Sequence, residues 1–119
     1  RRVQPDRWLI EREAVLDYYR ELRNDAVRVA RLYESFRPVR ESEGGRISGY
    51  QLDILGEEEF LRAVGLQQGD IVRAVNSMPM TSQSRAEFFI GEFLKENLNA
   101  IVLDIERNQQ PQKLVYLIR

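Results

Sequence analysis

The stretch that decides the fold is residues 65–76, GLQQGDIVRAVN. Gly65 favours a helix end with positive φ, and Gly69 permits a tight turn. In that turn the Asp70 carboxylate can accept hydrogen bonds from backbone N–H groups. The largely apolar run 71–75 predicts a buried strand directly after the turn. This stretch therefore predicts a helix end, a constrained turn and a core strand in succession.

The composition excludes several classes of protein. The 119 residues suffice for one domain, and 43% hydrophobic with 31% charged residues exclude a disordered chain. There is neither cysteine nor histidine, so disulfides, thiolate metal sites, thiol catalysis and histidine-based triads are excluded. The net charge of −1 gives no field that attracts nucleic acid. The sequence favours a binding module without enzymatic activity, catalytic residues, metal or cofactor.

Residues 1–35 are predicted to form a helical segment. Apolar spacing indicates one helix over 11–23 and a second over 26–33, with Asp25 as the N-cap of the second. A seven-residue repeat comprises Trp8, Val15, Leu22 and Val29. The repeat is compatible with a helix pair that packs on the following domain. It is also compatible with the seam of a short coiled-coil homodimer.

Residues 36–119 change to strand patterns and form the second predicted unit. The order is strand, strand, short helix, strand, longer helix and hairpin, which predicts an α+β fold: a small, mostly antiparallel β-barrel with two helices. Pro38 favours an edge position for the first strand. The predicted elements are 36–40, 47–55, 57–64, 71–75, a brief extension at 78–80, 82–96, 101–106 and 112–118.

The stretch 65–76, with Ser77 after it, resembles the GLxxGDxIxxxNG motif of PDZ domains. Ser77 departs from the glycine usual in that family, but Asn76 can adopt the left-handed conformation itself. The element order is similar to that of bacterial PDZ domains, whose terminal strands are permuted. The resemblance implies a PDZ domain over residues 36–119.

The sequence upstream of this motif narrows the resemblance. An arginine-rich helical segment precedes FRPV at 36–39, GRISGYQL at 45–52 and EFL at 59–61. This arrangement resembles the C-terminal periplasmic region of general secretion pathway protein C, the type II secretion inner-membrane protein. The resemblance implies a periplasmic domain whose parent chain is anchored in the inner membrane. It also implies protein partners, namely secreted substrates or machine components such as the secretin.

The resemblance also places a peptide groove between the strand at 37–40 and the helix at 85–94. An extended segment would add to the strand edge while the helix supplies an apolar wall. Pro38 removes one backbone donor, and no carboxylate-binding glycine loop precedes it, which favours internal segments as ligands. The candidate binding residues are Arg37, Pro38, Val39, Arg40, Arg85, Phe88, Phe89 and Phe93.

An alternative parent protein is a periplasmic or membrane protease that carries this unit as a regulatory, substrate-binding PDZ domain. The helical segment disfavours it, because such proteases usually enter their PDZ domain from a barrel or a membrane segment. The chain begins at Arg1 without methionine, so we expect a fragment of a longer protein. The sequence has no run of eighteen apolar residues that could span a membrane.

Overall fold

The computed structural model describes residues 2–42, 44–85, 87–88 and 98–119. Within these residues the chain forms eight strands and three assigned helices, and residues 83–85 add a helical turn. The elements in chain order are β1 Arg2–Gln4, β2 Arg7–Ile10, α1 Arg12–Arg23, α2 Ala26–Glu34, β3 Phe36–Arg40, β4 Ile47–Leu52, α3 Glu58–Ala63, β5 Ile71–Val75, β6 Met78–Pro79, β7 Ala100–Arg107 and β8 Gln110–Ile118.

The strands form one sheet in the order β1-β2-β8-β7-β5-β4-β3, and β6 pairs with β5. The predicted α+β fold is therefore confirmed. The predicted closure into a barrel is wrong, because β1 and β3 stand at opposite ends of the sheet without pairing to each other. An open sheet has two edges, and each edge offers backbone groups for further pairing.

The first ten residues belong to the sheet. Strands β1 and β2 form an antiparallel hairpin, and β2 runs parallel to β8 with Trp8 opposite Tyr116. Trp8 is 4% exposed and stacks on Tyr116 with ring centroids 5.3 Å apart. The assignment of Trp8 to a helical heptad is therefore wrong, because it is a strand residue of the core.

The core lies where alternating side chains of β4, β7 and β8 meet the turn that follows α3. Leu52, Ile105 and Leu114 are almost completely buried. On β8, the predicted inward face is confirmed, since Leu114, Tyr116 and Ile118 are all buried. Removing such side chains from water is the main stabilising contribution to a domain of this size.

The helices and turns follow local sequence signals closely. Helices α1 and α2 occupy the predicted ranges to within one residue at each end. Asp25 caps α2, as predicted, by accepting hydrogen bonds from the backbone amides of Val27 and Arg28. Asn76 has a φ of 49°, so it adopts the left-handed conformation that its turn requires. In the described part of the chain, no helix has the length and apolar character needed to cross a bilayer.

Candidate interaction site at the β3 edge

Strand β3 stands at one end of the sheet, and β4 is its strand partner among the described residues. The two strands are antiparallel, with Phe36 opposite Leu52 and Pro38 opposite Tyr50. The prediction of an edge strand at residues 36–40 is confirmed. The side of β3 that faces away from β4 is therefore the surface on which an added strand could pair.

The hydrogen-bond register shows which backbone groups of β3 face this open edge. The Asp53 amide donates to the Ser35 carbonyl at 2.7 Å, so Ser35 and Asp53 form a hydrogen-bonded pair. In an antiparallel ladder, hydrogen-bonded and non-hydrogen-bonded pairs alternate along the strand. Arg37 therefore directs its backbone N–H and C=O groups towards β4. Phe36 and Pro38 direct their backbone N and C=O groups outward, away from β4.

The same alternation holds at the other end of β3. The register shifts by one residue just before Arg40, which lies opposite Ile47. The Glu41 amide then donates to the Arg46 carbonyl at 3.1 Å, so this pair is hydrogen-bonded. Arg40 is consequently a non-hydrogen-bonded residue. Arg40 is the third outward-facing residue of β3, after Phe36 and Pro38.

The two faces of β3 differ in chemistry. Phe36 packs against the core, and Pro38 projects from the same face because side chains alternate along a strand. Arg37 projects from the opposite face, where its Nη2 lies 3.0 Å from Asp53 Oδ2. The Arg37 side chain is 65% exposed, and an ion pair this exposed contributes only about 0–1 kcal/mol. The Arg37 guanidinium can therefore exchange Asp53 for an acidic group on a ligand.

Two further arginines lie near this edge. The Arg40 Nη1 group donates to the Gly45 carbonyl at 2.8 Å, which fixes the side chain without neutralising its charge. Arg46 is exposed on the same connection. Together with Arg37 they bring three arginines to this part of the chain, where the sequence also has three acids, Glu41, Glu43 and Asp53. The charges balance, so a preference for acidic segments rests on Arg37 itself and not on an excess of positive charge.

The predicted helical wall of the groove is described only at its start. Arg85 lies in the helical turn, and its Nη1 donates to the Pro79 carbonyl at 2.8 Å, beside β6. Phe88 is half-exposed, at 51%. Phe89 and Phe93 lie outside the described residues, so the wall formed by this helix opposite β3 stays a prediction.

Ser35 is a positioning residue that the sequence analysis missed. It is fully buried between α2 and β3. Its hydroxyl donates to the Arg31 carbonyl at 2.8 Å and accepts from the Leu55 amide at 3.1 Å, while its own carbonyl accepts from Asp53. These bonds fix the residue from which β3 begins. A lone serine before a strand carries no sequence signal for this role, because Asp53 and Leu55 are remote in sequence.

A cluster of side chains that the sequence did not predict attaches helices α1 and α2 to the rest of the domain. Glu57, just before α3, accepts hydrogen bonds from Arg28 of α2 and from the Tyr18 hydroxyl of α1. Hydrogen bonding to Arg28 holds the pKa of Glu57 below its ordinary value. Burial, with the neighbouring Glu57 carboxylate, raises the pKa of Tyr18 to about 12. Tyr18 also stacks on Phe60 with ring centroids 4.5 Å apart. The helical segment therefore docks on the body of the domain.

The predicted role of Asp70 is confirmed, and it has an unpredicted partner. Asp70 is 1% exposed, and its Oδ2 accepts from the Gln67 amide at 2.8 Å. Arg107 of β7 donates to both carboxylate oxygens, at 2.8 and 2.7 Å, and also to the Gly65 carbonyl. The hydrogen bonds to Asp70 raise the pKa of Arg107. A bidentate ion pair therefore holds the motif at 65–76 against β7 of the sheet.

A cleft of about 710 Å³ lies away from the β3 edge, between the β1–β2 hairpin and the turn after α3. Two of its charged lining residues are already engaged: Arg107 pairs with Asp70, and Arg2 donates to the Pro5 carbonyl at 2.8 Å. Across the described residues, no group of three or more acidic side chains is placed to hold a metal ion. The β3 edge is therefore the stronger candidate for function.

Comparison with solved structures identifies the fold. The PDZ domain of EpsC from Vibrio cholerae, in its longer form, superimposes with a TM-score of 0.52 at 19% identity, covering 89% of this chain and 97% of that one. A shorter form gives 0.50 at 18% identity, covering 69% and 92%.

This chain has the PDZ fold. A third structure is the PDZ domain of the pullulanase C protein of the type II secretion system from Klebsiella pneumoniae, solved in complex with fatty acid. It is 25% identical and has a TM-score of 0.48, with 70% of this chain and 81% of that one covered. No protein-family model matches the sequence, and no curated protein matches it. PDZ domains are interaction domains that bind peptide ligands.

Proposed function

We propose that this chain is a non-enzymatic PDZ interaction domain from the periplasmic part of a type II secretion inner-membrane component. It helps to recognise secreted substrates or to assemble the machine, for example through the secretin. The observation that carries the proposal is the open β3 edge, with outward-facing backbone groups flanked by arginines. The secretion context is supported by the motifs at 36–39 and 45–52 and by the structural neighbour EpsC, a type II secretion protein C.

The proposed binding mode is strand addition. An extended segment pairs with β3 through backbone hydrogen bonds, and the helix that the sequence predicts at 82–96 is proposed as the apolar wall on its other side. No feature of the described chain before Pro38 forms a glycine-rich loop that would capture a terminal carboxylate. Internal segments are therefore suitable ligands. The proposed contact residues are Arg37, Pro38, Val39, Arg40, Arg85, Phe88, Phe89 and Phe93.

The affinity of such a site is expected to be modest. A short segment loses conformational entropy when it becomes ordered, and few backbone bonds are available to offset that loss. A dissociation constant on the order of micromolar or weaker follows. Because Arg37 is exposed and weakly paired, an acidic segment should bind more tightly than a basic one.

The helical segment has a separate proposed role. We take residues 1–35 as a unit that supports the PDZ domain at 36–119, its strands β1 and β2 by extending the sheet beside β8 and its helices by docking through Glu57. Val27 and Tyr33 of α2 remain exposed, at 60% and 56%. These two side chains are the basis for proposing that a second copy of the chain can pack on the helices to form a homodimer.

The test is NMR shift mapping with a secreted substrate or a secretin fragment. Perturbations are expected at residues 36–40 and 85–93. The charge reversal Arg37→Glu should weaken binding of an acidic partner, while Lys113→Glu, a reversal on β8, should leave it unchanged. The affinity of each variant is measured by titration against the same partner.

A footprint confined to α1 and α2 would contradict the β3 assignment and leave the PDZ fold as a scaffold. Equal weakening by both charge reversals would show that general electrostatic attraction, rather than the β3 site, controls binding. Because shift mapping reports position and titration reports affinity, these two failures are distinguishable.

A further inference from the structure

Pro38 occupies the middle of the three outward-facing positions of β3. Phe36 and Arg40, on either side, direct an N–H and a C=O group to the open edge. Pro38 directs a carbonyl outward but has no N–H group to donate. The edge therefore presents three acceptors and two donors, with the missing donor at the centre.

This arrangement follows from the register. The ladder to β4 uses the amides of Arg37 and Val39, so a proline at either position would remove a bond within the sheet. At position 38 a proline costs the free domain no ladder bond. Its effect falls on a strand that adds to the edge, because one carbonyl of that strand meets no donor and must remain hydrated.

The two faces of β3 determine which side chains an added strand should carry. Residues directly opposite each other in an antiparallel ladder project from the same face of the sheet. A residue opposite Arg37 thus lies beside its guanidinium. Residues opposite Phe36 and Pro38 lie on the other face, where Phe36 packs against the core, Pro38 is exposed and the exposed Arg40 also projects. The matching ligand therefore carries an acidic side chain opposite Arg37, with apolar side chains on either side of it opposite Phe36 and Pro38.

We propose that β3 selects a short extended segment with alternating acidic and apolar side chains, and that Pro38 lowers the affinity for this segment by removing one hydrogen bond from the backbone ladder between the segment and β3. The segment bonds to the backbone N–H and C=O groups of Phe36 and Arg40 and donates to the Pro38 carbonyl, while the segment carbonyl that faces the Pro38 nitrogen stays in water. Recognition consequently depends on side chains more than on backbone pairing. This inference rests on the proposed function.

The probe is an end-blocked peptide of about seven residues that alternates glutamate and valine, a length within the usual range for a strand. Two variants restore the missing donor: Pro38→Ala with a small side chain and Pro38→Val with a branched one. Each should bind the peptide roughly fivefold more tightly, the effect of one net hydrogen bond. Pro111→Ala, at an exposed proline of β8, is the matched control and should bind like the wild type.

Hydrogen exchange supplies a readout that is independent of affinity. In the wild type, the peptide should protect the amides of Phe36 and Arg40, while those of Arg37 and Val39 are already protected by β4. In both Pro38 variants, the new amide proton at position 38 should also become protected when the peptide is added. A peptide alternating lysine and valine should bind more weakly to all forms.

The outcomes separate the two proposals. If the wild-type amides of Phe36 and Arg40 gain protection but the Pro38 variants bind no more tightly, the proposal that Pro38 lowers the affinity is overturned. The proposed binding site at β3 then still stands. If those amides gain no protection and neither wild type nor variants bind, both proposals are overturned. If the lysine peptide binds as tightly as the glutamate peptide, the assignment of an acidic ligand is overturned.

Discussion

Replacing Gly65 by alanine tests whether β2, which carries Trp8, packs on the motif at residues 65–76. Gly65 has a φ of +83°, and a Cβ there would lie 2.3 Å from Trp8 Cζ2. Gly69 has a similar φ of +89°, but a Cβ added there would have no neighbouring atom within 4 Å. The two glycines therefore share the same backbone requirement and differ in whether Trp8 blocks a side chain.

The expected magnitudes follow from this difference. An alanine in the left-handed region costs about 1–2 kcal/mol, partly offset by about 0.4–1 kcal/mol from the less flexible unfolded chain. Gly69→Ala should thus lower the free energy of unfolding by about 1 kcal/mol. Gly65→Ala adds overpacking against the Trp8 ring, about 1–3 kcal/mol more, for a total of about 2–4 kcal/mol.

Urea unfolding followed by far-UV circular dichroism measures both variants. This signal remains usable when Trp8, the sole tryptophan, is replaced. In a Trp8→Leu background, the extra cost of Gly65→Ala should largely disappear, which gives a coupling of about 1–3 kcal/mol between the two sites. Equal costs for Gly65→Ala and Gly69→Ala, or no coupling to Trp8, would show that β2 does not pack on the motif in solution.

Three further predictions concern the attachment of the helical segment and the expected lack of hydrolase activity. Glu57→Gln should lower stability at neutral pH, and its difference from wild type should shrink as the pH falls below about 4. The sign follows because Arg28 depresses the pKa of Glu57 in the folded state, so the stabilisation exists above the unfolded pKa and is lost on acidification. Melting curves across pH test this, with the exposed neighbour variant Glu58→Gln as control; parallel curves for both variants would contradict it. Deleting residues 1–33, which removes β2 and Trp8 together with the helices, should lower the melting temperature or abolish dimerisation, as calorimetry and ultracentrifugation would show. An equally stable monomer would argue against packing of this whole segment on the domain. The purified chain should show only background rates on ester and peptide substrates; turnover that survives repurification and is lost on replacing one serine or lysine would refute this.

The elements that the sequence predicted well have local determinants. Helices α1 and α2 were predicted because apolar spacing and the Asp25 cap operate within a few residues. The turn around Gly65 and Asp70 was predicted because its backbone requirements limit the residue types that fit. The edge position of β3 followed from Pro38, since a proline is tolerated where no ladder bond is needed.

The features that the sequence did not predict depend on partners far along the chain. Strand β2 is four residues long and forms by parallel pairing with β8, so its own pattern carries little information. The ion pair between Arg107 and Asp70 joins residues 37 positions apart. Glu57 likewise meets Arg28 at a separation of 29. Composition and spacing indicate that such charges exist, but tertiary structure alone selects their partners.

The position of the β3 edge depends on the helical segment as much as on the sheet. Helix α2 ends at Glu34, and the next residue, Ser35, is bonded to the last turn of α2, to Asp53 and to Leu55. The other end of the helical pair continues from β2, which pairs with β8 on the far side of the sheet. Glu57 anchors the helices between these two points. Because β3 begins directly after Ser35, loss of this anchoring would displace the outward-facing groups of β3 as well as lower stability. Helix docking and ligand binding should therefore be coupled, and Glu57→Gln should weaken peptide binding at β3 even though Glu57 is not among the proposed contact residues.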